Sequence, residues 1–534
     1  MVLEHNPNSL MYYSDSISHL VISRETFDSI SPGLGQLGSV WPPMTHLLLL
    51  PFVTNDFLFH SGLAGTIIST LSTAVTAVIL FRIARLQFDS TLAGIIAASL
   101  ILLNPSVIYM GLVPMTELPF LMFFIISVYY IQQWYYAYAR DDTDTWKQYR
   151  SIIKAAFAIS AATLTAYEGW LLPFVVMFIL LAIALNKRTS RYRIKAIITA
   201  AVPYSFTGIM MWIVWNLLVQ KDPLYFVTGP YSGKMETAMM PSASYLYLNP
   251  AGSLSIIYDI AKAMYGVPVL ILSLSGVLLF LYMCRTRKML PFSFILLVML
   301  LIPTLSDLTS IILGYQGILP NRNGGWSNGR LLVFMAPFFA FTSAFVVAFI
   351  TKRTRIKALT ISSACFVIAL WAFTLVPQIS NIGKVVALND TDSMIPFARS
   401  DQIALDTGRD LKKLYTESGN ILLFAGTQHS QEIMFGSGLP LKNFIYSGSG
   451  IYWNASQANP WLYAKYIVLD RSPSQEDRAD PTFREWGQWQ YKIMDLINTR
   501  HPITHNNVLR QSYQIIYQND RYDILKRVIL SQNK

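Results

Sequence analysis

The sequence predicts an all-α polytopic membrane domain of about ten transmembrane helices, followed by a small α/β domain outside the cytoplasm. Three observations support this fold class. Hydrophobic residues make up 53% of the 534 residues and charged residues only 13%, with a mean hydropathy of +0.40. Ten apolar runs approach the roughly 20 residues that a helix needs to cross a bilayer. The C-terminal part of the chain is polar and contains short runs of β-branched and aromatic residues.

Three regions follow from this pattern. Residues 1–61 are predicted to form an outer first loop that ends in an interfacial helix near 44–59, which is apolar but too short to span and broken by Pro51. Residues 62–377 form the transmembrane domain, and residues 378–534 form a soluble extracytoplasmic α/β domain. No spanning segment precedes the interfacial helix, so we expect that a first helix is missing from the start of the chain.

The individual elements follow from run length and periodicity. The predicted transmembrane helices lie near 62–83, 91–109, 116–134, 151–166, 170–186, 194–218, 262–283, 290–313, 330–350 and 357–377. In the last domain, the predicted strands are 421–424, 466–469, 513–517 and 522–525, and the predicted helices are 402–416 and 482–498.

The basic residues indicate which connections face the cytoplasm. Every second connection is basic, and five such connections hold seventeen Lys and Arg residues, whereas the intervening ones hold Lys221, Lys234 and Arg322. Because basic loops stay in the cytoplasm, the first loop and the C-terminal domain are predicted to be extracytoplasmic on a multi-pass protein of the cell membrane. This arrangement accounts for the formal charge of +11, so we do not predict a nucleic-acid partner.

The side chains that could take part in catalysis or substrate binding lie on the predicted outer face. They are Asp15 and His19 in the first loop, Trp41 before Pro42-Pro43, Glu117 at a helix start, Glu168 and Trp170 in a Tyr-Glu-Gly-Trp turn, Lys234 in the long fourth loop, and Arg330 at a helix entrance. Structural roles are also open to them, because carboxylates complement helix N-termini, arginines snorkel and tryptophans anchor at the interface. Asp307, near the outer end of an apolar run, is a weaker candidate.

Four motifs are found in a fixed order on this face. They are Asp15 in Tyr-Ser-Asp-Ser, Trp41-Pro42-Pro43 before the interfacial helix, Asn104-Pro105 followed by Glu117, and Gly329-Arg330 before a helix that contains Pro337. In these motifs the chain resembles the membrane glycosyltransferases of the C-type fold (GT-C), in the branch of the protein O-mannosyltransferases and the bacterial aminoarabinose transferase. The resemblance covers about residues 10–375.

The chain departs from that family at three points. Members often carry two adjacent acids in the first loop, whereas Asp15 stands alone between serines. Trp41 occupies the position where the aminoarabinose transferases have a basic residue. The Trp-Trp-Asp signature of oligosaccharyltransferases is missing, so transfer of one sugar is expected rather than transfer of a whole glycan.

The resemblance implies that one sugar moves from a polyprenyl-phosphate donor, such as dolichyl phosphate mannose, to a protein, lipid or glycan acceptor, with inversion at the anomeric carbon. Asp15 and Glu117 are the expected catalytic residues, with Asp15 as the base. Arg330 and Lys234 are expected to bind the donor phosphate. The expected substrate contacts are His19, Trp41, Glu168 and Trp170. Membrane lipids are the remaining expected partners.

No metal site is predicted, and the sequence indicates no specific cofactor. Asp15, Glu117 and Glu168 nevertheless carry the oxygen ligands that a divalent cation prefers, so such a cation stays an open expectation. His19 and His46 leave a zinc site open in the same way.

Two other functions compete with glycosyl transfer. A polytopic transporter or flippase would carry charged groups near the bilayer midplane and interrupted helices, and the predicted helices are largely free of midplane charge. A non-catalytic relative that scaffolds envelope assembly would retain the fold without turning over a lipid donor. Substrate movement that survives loss of Asp15 would indicate the transporter, and intact donor turnover would exclude the scaffold.

Overall fold

The structure is a computed structural model that describes twelve stretches of the chain. They are residues 14–139, 145–185, 191–229, 231–239, 245–286, 292–316, 318, 326, 328–353, 356–385, 395–471 and 512–528. The chain folds into two compact units. We call Ser39–Thr45 with Gly65–Asn389 the membrane unit, and Met1–Gly38 with His46–Ala64 and Asp390–Lys534 the terminal unit.

The membrane unit is built of helices, as the apolar runs predict. The helices and short helical turns described in it are Leu63–Phe88, Thr91–Leu102, Pro105–Met110, Glu117–Ala139, Thr145–Thr163, Tyr167–Trp170, Leu171–Leu185, Arg191–Gln220, Tyr225–Thr228, Gly233–Met239, Pro250–Tyr265, Val267–Arg285, Phe292–Ile312, Gly329–Met335, Ala336–Arg353 and Lys357–Val385. The first of them begins in the terminal unit, because the boundary between the units falls after Ala64.

Six helices among the described residues are long and apolar enough to cross a membrane. They are Leu63–Phe88, Lys195–Gln220, Val267–Arg285, Ser293–Ile312, Gly329–Arg353 and Ala358–Ile379. The predicted count of ten is therefore not confirmed. One reason is visible at Asn104, whose side chain accepts a hydrogen bond from the Val107 N–H at 3.1 Å and starts a new helix with Pro105. The predicted run 91–109 is thereby divided into two short helices.

A second predicted run is divided at a glycine. Helix Pro250–Tyr265 ends at Gly266, and helix Val267–Arg285 begins directly after it. Gly266 has a φ of 79°. An L-residue with a side chain rarely adopts that conformation. The helix before Gly266 is capped by Asn249, whose side chain accepts from the Gly252 N–H at 3.0 Å. Most of this helix falls outside the predicted run 262–283.

The terminal unit contains a five-stranded sheet in the order β2-β1-β3-β5-β4. The strands are β1 (Ile421–Phe424), β2 (Phe444–Ile445), β3 (Tyr466–Asp470), β4 (Tyr513–Gln518) and β5 (Tyr522–Arg527). β1 pairs in parallel with β2 and β3, and β5 runs antiparallel to β3 and β4. The four predicted strands are confirmed. β2 has only two residues, which is too short for a periodic signal.

Helices and short helical turns complete the terminal unit. They are Ser14–Glu25, Leu34–Gln36, Met44–Val53, Asp56–His60, Ile395–Leu414, Thr427–Ser437, Leu441–Asn443, Ser447–Ser449, Ile451–Ala458 and Pro460–Tyr463. Helix Met44–Val53 begins at the edge of the membrane unit. The predicted interfacial helix is thus two helices, separated at Asn55, whose side chain accepts from the Leu58 N–H at 3.0 Å. The predicted helix 482–498 lies outside the described residues.

The N-terminal segment packs directly on the C-terminal α/β fold. The Lys442 N–H donates to the Asp28 carboxylate at 3.3 Å, and the rings of Phe59 and Phe435 meet edge to face with centroids 5.2 Å apart. The sequence does not predict this association, because the partners are separated by hundreds of residues. The predicted domain limits at residues 61 and 377 stay a prediction.

Candidate functional site

The first candidate pair joins two helix starts that are distant in sequence. Glu117 is the first residue of helix Glu117–Ala139, and its side chain is only 2% exposed. Arg330 is the second residue of the 3-10 helix Gly329–Met335. Its Nε donates to Glu117 Oε1 at 2.8 Å. A buried pair of this kind holds both side chains in a fixed geometry, because either charge alone is costly there.

Two further acids lie beside this pair. Glu168 is in the 3-10 helix Tyr167–Trp170, and its carboxyl group faces that of Asp307 in helix Phe292–Ile312. Desolvation raises the pKa of Glu168, and the nearby charge of Glu117 raises it further. We call Glu117, Glu168, Asp307 and Arg330 the carboxylate cluster.

Several oxygens of the carboxylate cluster have no hydrogen-bond partner among the described residues. They are Oε2 of Glu117 and both Oδ atoms of Asp307, and all three are buried. Buried polar atoms in folded proteins almost always bind a partner. The cluster therefore has the capacity to accept hydrogen bonds from a polar ligand such as a sugar hydroxyl.

The segment that carries Trp41 lies next to the turn that carries Glu168. The hydroxyl group of Tyr167 donates to the carbonyl oxygen of Val40, and the Met44 N–H donates to the Leu164 carbonyl oxygen at 2.9 Å. The Trp-Pro-Pro motif and the Tyr-Glu-Gly-Trp motif are thereby brought together. Trp41 itself is half-buried.

Trp170 has a clear packing role. Its Nε1 donates to the Thr163 carbonyl oxygen at 3.1 Å, and its ring contacts Phe226 with centroids 5.1 Å apart. Tyr167 contacts the same two rings and accepts a hydrogen bond from Trp212 Nε1 at 3.1 Å. This aromatic cluster supports the backbone next to Glu168. Its predicted contact with substrate stays a prediction.

Lys234 contacts Tyr315 and no member of the carboxylate cluster among the described residues. It is exposed in helix Gly233–Met239, and its Nζ lies 5.9 Å from the centroid of the Tyr315 ring. Among the residues that the structure describes, Lys234 forms no ion pair with the acids of the carboxylate cluster. Its predicted part in binding the donor phosphate stays a prediction.

Asp15 and His19 belong to the terminal unit. Asp15 is half-buried in the first turn of helix Ser14–Glu25. His19 is buried, and its Nδ1 lies 2.9 Å from Nε2 of His46. Nδ1 of His46 in turn lies 2.9 Å from the Leu37 carbonyl oxygen, to which it donates. His46 Nε2 then accepts from His19, so these two nitrogens bind each other rather than a shared zinc ion.

Burial keeps His46 neutral. It lowers the pKa of His46 to about 4, so the imidazole carries no charge at neutral pH. The same chemistry suits a structural contact between helices Ser14–Glu25 and Met44–Val53. Across the described ranges, no group of three or more His, Cys, Asp or Glu side chains is arranged to hold a metal ion.

The structure also raises the standing of Asp307, which the sequence ranks below the loop residues. The available signal was an ionisable residue within an apolar run, where charge is costly and function is the default explanation. What the sequence lacks is the contact with Glu168, because the two residues are on different helices and 139 positions apart.

Comparisons with known proteins agree with the family resemblance. Residues 49–221 match the family model described as dolichyl-phosphate-mannose-protein mannosyltransferase. The matched region includes Glu117 and Glu168. No curated protein sequence matches the chain significantly. The family match confirms the predicted resemblance to the protein mannosyltransferases over residues 49–221, about a third of the 534 residues.

Solved structures resemble this chain in fold. The Archaeoglobus fulgidus oligosaccharyltransferase, tethered to an acceptor peptide containing the NVT sequon, aligns at a TM-score of 0.50 and 12% identity over 85% of this chain. The alignment spans 64% of that protein, which is less than two thirds of its length. ArnT from Cupriavidus metallidurans, bound to undecaprenyl phosphate, aligns at a TM-score of 0.45 and 14% identity over 97% of this chain and 94% of that one.

Proposed function

We propose that this chain is an integral membrane glycosyltransferase that moves a single sugar from a polyprenyl-phosphate donor to an acceptor hydroxyl. The observation that carries the proposal is the family match over residues 49–221. That region supplies two of the three acids of the carboxylate cluster. The family description makes dolichyl phosphate mannose the first donor to test, and a protein hydroxyl the first acceptor.

The proposed chemistry assigns separate tasks to the acids and to the arginine. Asp15 accepts the proton of the acceptor hydroxyl as its oxygen attacks the anomeric carbon. The bond between that carbon and the phosphate oxygen breaks, and the guanidinium of Arg330 stabilises the charge that develops on the departing phosphate. Lys234 adds a second cation in this proposal.

Glu117 has a positioning role in the same proposal. Its bond to Arg330 Nε at 2.8 Å fixes the plane of the guanidinium, and a planar guanidinium matches two phosphate oxygens only in a limited set of orientations. The pairing supports an indirect role for Glu117 rather than proton transfer. Glu168 and Asp307 then supply the acceptor atoms for sugar hydroxyls.

The proposed topology has ten crossings with both ends of the chain outside the cytoplasm. Four of these crossings come from residues 91–109, 116–134, 151–166 and 170–186, in addition to the six helices that satisfy the length and composition criteria. Ten crossings bring Glu117, Glu168 and Arg330 to one face of the membrane, which supports an outer site for a lipid-borne donor.

The test is transfer of radiolabelled mannose from synthetic dolichyl phosphate mannose to endogenous membrane acceptors. Membranes containing the wild-type chain are compared with membranes containing Asp15→Asn, and binding of the donor is measured separately. Removal of a general base lowers rates by about 10²- to 10⁴-fold. Asp259→Asn is the matched control, because Asp259 is an exposed aspartate on helix Pro250–Tyr265.

Loss of transfer in Asp15→Asn, with donor binding retained and Asp259→Asn active, would support the proposal. Equal transfer by all three proteins would remove Asp15 from the mechanism while keeping the enzyme. Absence of transfer in the wild-type chain with a panel of polyprenyl-phosphate sugars would instead favour the transporter or the non-catalytic relative.

A further inference from the structure

A cavity lies in the membrane unit, away from the carboxylate cluster. Its volume is about 900 Å³. It is lined by the C-terminal parts of helices Leu63–Phe88, Glu117–Ala139, Val267–Arg285 and Ala336–Arg353. Four basic side chains line it: Arg82, Arg85, Lys352 and Arg353.

The cavity and the carboxylate cluster lie at opposite ends of the same helix. Glu117 is the first residue of helix Glu117–Ala139, whereas Tyr136, 19 residues later, lines the cavity. A helix rises 1.5 Å per residue, so the two positions are about 28 Å apart along the axis. That distance is close to the thickness of the hydrocarbon core. The cavity is therefore at the other membrane face.

The charge inside the cavity is strongly unbalanced. Asp89 is the acid among its lining residues, against four cations. Among the residues that the structure describes, none of the four cations forms a salt bridge. Arg353 instead lies over the Phe349 ring, 5.5 Å from its centroid. Positive charges that share one space repel one another unless an anion is bound between them.

The remaining walls are aromatic and aliphatic. Phe88, Phe345 and Phe349 line one part of the cavity, and the Phe345 ring contacts the rings of the other two. Tyr136 and Gln87 contribute polar atoms, and the Tyr136 hydroxyl donates to Gln87 Oε1 at 3.3 Å. The cavity thus combines several cations with apolar walls at one end of the spanning helices. These features match an amphiphile with an anionic head group.

We propose that this cavity binds an anionic phospholipid of the leaflet opposite the carboxylate cluster. The phosphate lies among the four cations, and the glycerol and first acyl carbons contact the aromatic walls. Basic pockets between transmembrane helices on the cytoplasmic side recognise phospholipid head groups by this chemistry. A soluble anion would gain nothing from the apolar walls, which is why a lipid is the favoured source of the phosphate.

Binding is measured with the full-length protein, purified in an uncharged detergent and titrated with dioleoyl phosphatidylglycerol or dioleoyl phosphatidylcholine in mixed micelles. Bound lipid is counted by native mass spectrometry. We expect saturable binding of the anionic lipid only. Each of the double variants Arg82→Gln/Arg85→Gln and Lys352→Gln/Arg353→Gln is expected to weaken it about tenfold or more.

A matched control removes two charges that do not line the cavity. Arg150 and Arg285 are exposed at helix positions of the same predicted face, so Arg150→Gln/Arg285→Gln should leave binding unchanged. The variant Arg82→Lys/Arg85→Lys should retain binding, which separates loss of charge from misfolding.

Three results would overturn the proposal. They are equal binding of phosphatidylcholine, equal weakening in the control double variant, and displacement of the lipid by inorganic phosphate at the concentration at which the lipid itself binds. The last result would identify a site for free anions. The readout does not depend on sugar transfer, so failure here leaves the proposed enzyme function intact.

Discussion

The bond between Glu117 and Arg330 makes each residue depend on the other. Both side chains are largely buried, with 2% and 13% exposure. Removing one partner leaves an uncompensated charge, which typically costs about 3 to 5 kcal/mol. We therefore expect Glu117→Gln and Arg330→Gln each to lower the melting temperature in detergent. The double variant should lose less stability than the sum of the two single changes.

The control for this cycle is the pair Asp406 and Arg409, whose side chains are 50% and 46% exposed. Exposed pairs contribute little, so Asp406→Asn and Arg409→Gln should leave the melting temperature nearly unchanged. Additive losses at Glu117 and Arg330 would show that the two side chains are not coupled in the folded protein.

Glu25 gives the terminal unit a predictable dependence on pH. Burial raises the pKa of its carboxyl group to about 7, partly offset by a hydrogen bond with Tyr446. Because the pKa is higher in the folded than in the unfolded chain, the folded chain holds more protons between pH 4.5 and 7. Stability is then fully present below pH 4.5 and falls by about 3 kcal/mol as pH rises to 7.

The measurement is thermal unfolding of the purified protein at pH values from 4 to 8. Glu25→Gln should remove this part of the pH dependence, because glutamine does not titrate, and should be the more stable form at pH 7 and above. A slope that is the same in Glu25→Gln and the wild-type chain would mean that other groups cause it.

At the scale of elements, the sequence predicts well what depends on local pattern. Most helices and four strands are found where apolar runs and β-rich runs indicate them. It fails where a single residue changes the backbone, as at Asn104 and Gly266, because one cap or one positive φ divides a run without changing its hydropathy. The contact between Glu168 and Asp307 was out of reach for another reason, since a single sequence carries no information on which helices pack together.

Close packing between two spanning helices depends on Gly276. A Cβ atom at this position would lie 2.3 Å from the Thr342 carbonyl oxygen. One turn away, the Ser273 and Thr342 hydroxyl groups lie 2.6 Å apart. Small residues allow helices to approach in this way in membranes. We expect Gly276→Leu to separate helices Val267–Arg285 and Ala336–Arg353 and to lower the melting temperature.

Ser275→Leu is the control for this change. Ser275 is the exposed neighbour on the same helix, and its substitution introduces the same leucine side chain. Its melting temperature in detergent should stay close to that of the wild-type chain. If Gly276→Leu were equally well tolerated, the close approach of the two helices would not contribute to stability.

At the scale of the whole molecule, the open question is the number of crossings, and the region between Phe88 and Lys195 decides it. If only the six long helices cross, this entire region stays on one side of the membrane. If ten helices cross, the outer part of the crossing 91–109, at the break after Leu103, faces the outside and the connection near Arg150 is in the cytoplasm. The two topologies therefore differ at Leu103 and agree at Arg150.

Single cysteines test this difference in intact cells treated with a membrane-impermeant maleimide. The background carries Cys284→Ser and Cys365→Ser, which replace the two cysteines of the chain. Lys234→Cys, exposed in helix Gly233–Met239, which is outside in both topologies, is the positive control. We expect Leu103→Cys, 38% exposed in the folded chain, to be labelled from outside. Arg150→Cys should be labelled only after permeabilisation.

The pattern of labelling also bears on the chemistry, because Leu103 precedes the helix that begins with Glu117. An outside Leu103 puts Glu117 and its partner Arg330 on the face where the proposed lipid-borne donor would be used. Labelling of Leu103→Cys only after permeabilisation would instead leave Glu117 on the cytoplasmic side. The basic cavity would stay on the cytoplasmic face, because it lies at the ends of helices Leu63–Phe88 and Gly329–Arg353, which cross in both topologies. The proposed outer enzyme site would then be contradicted, because Arg330 would be outside and Glu117 would not.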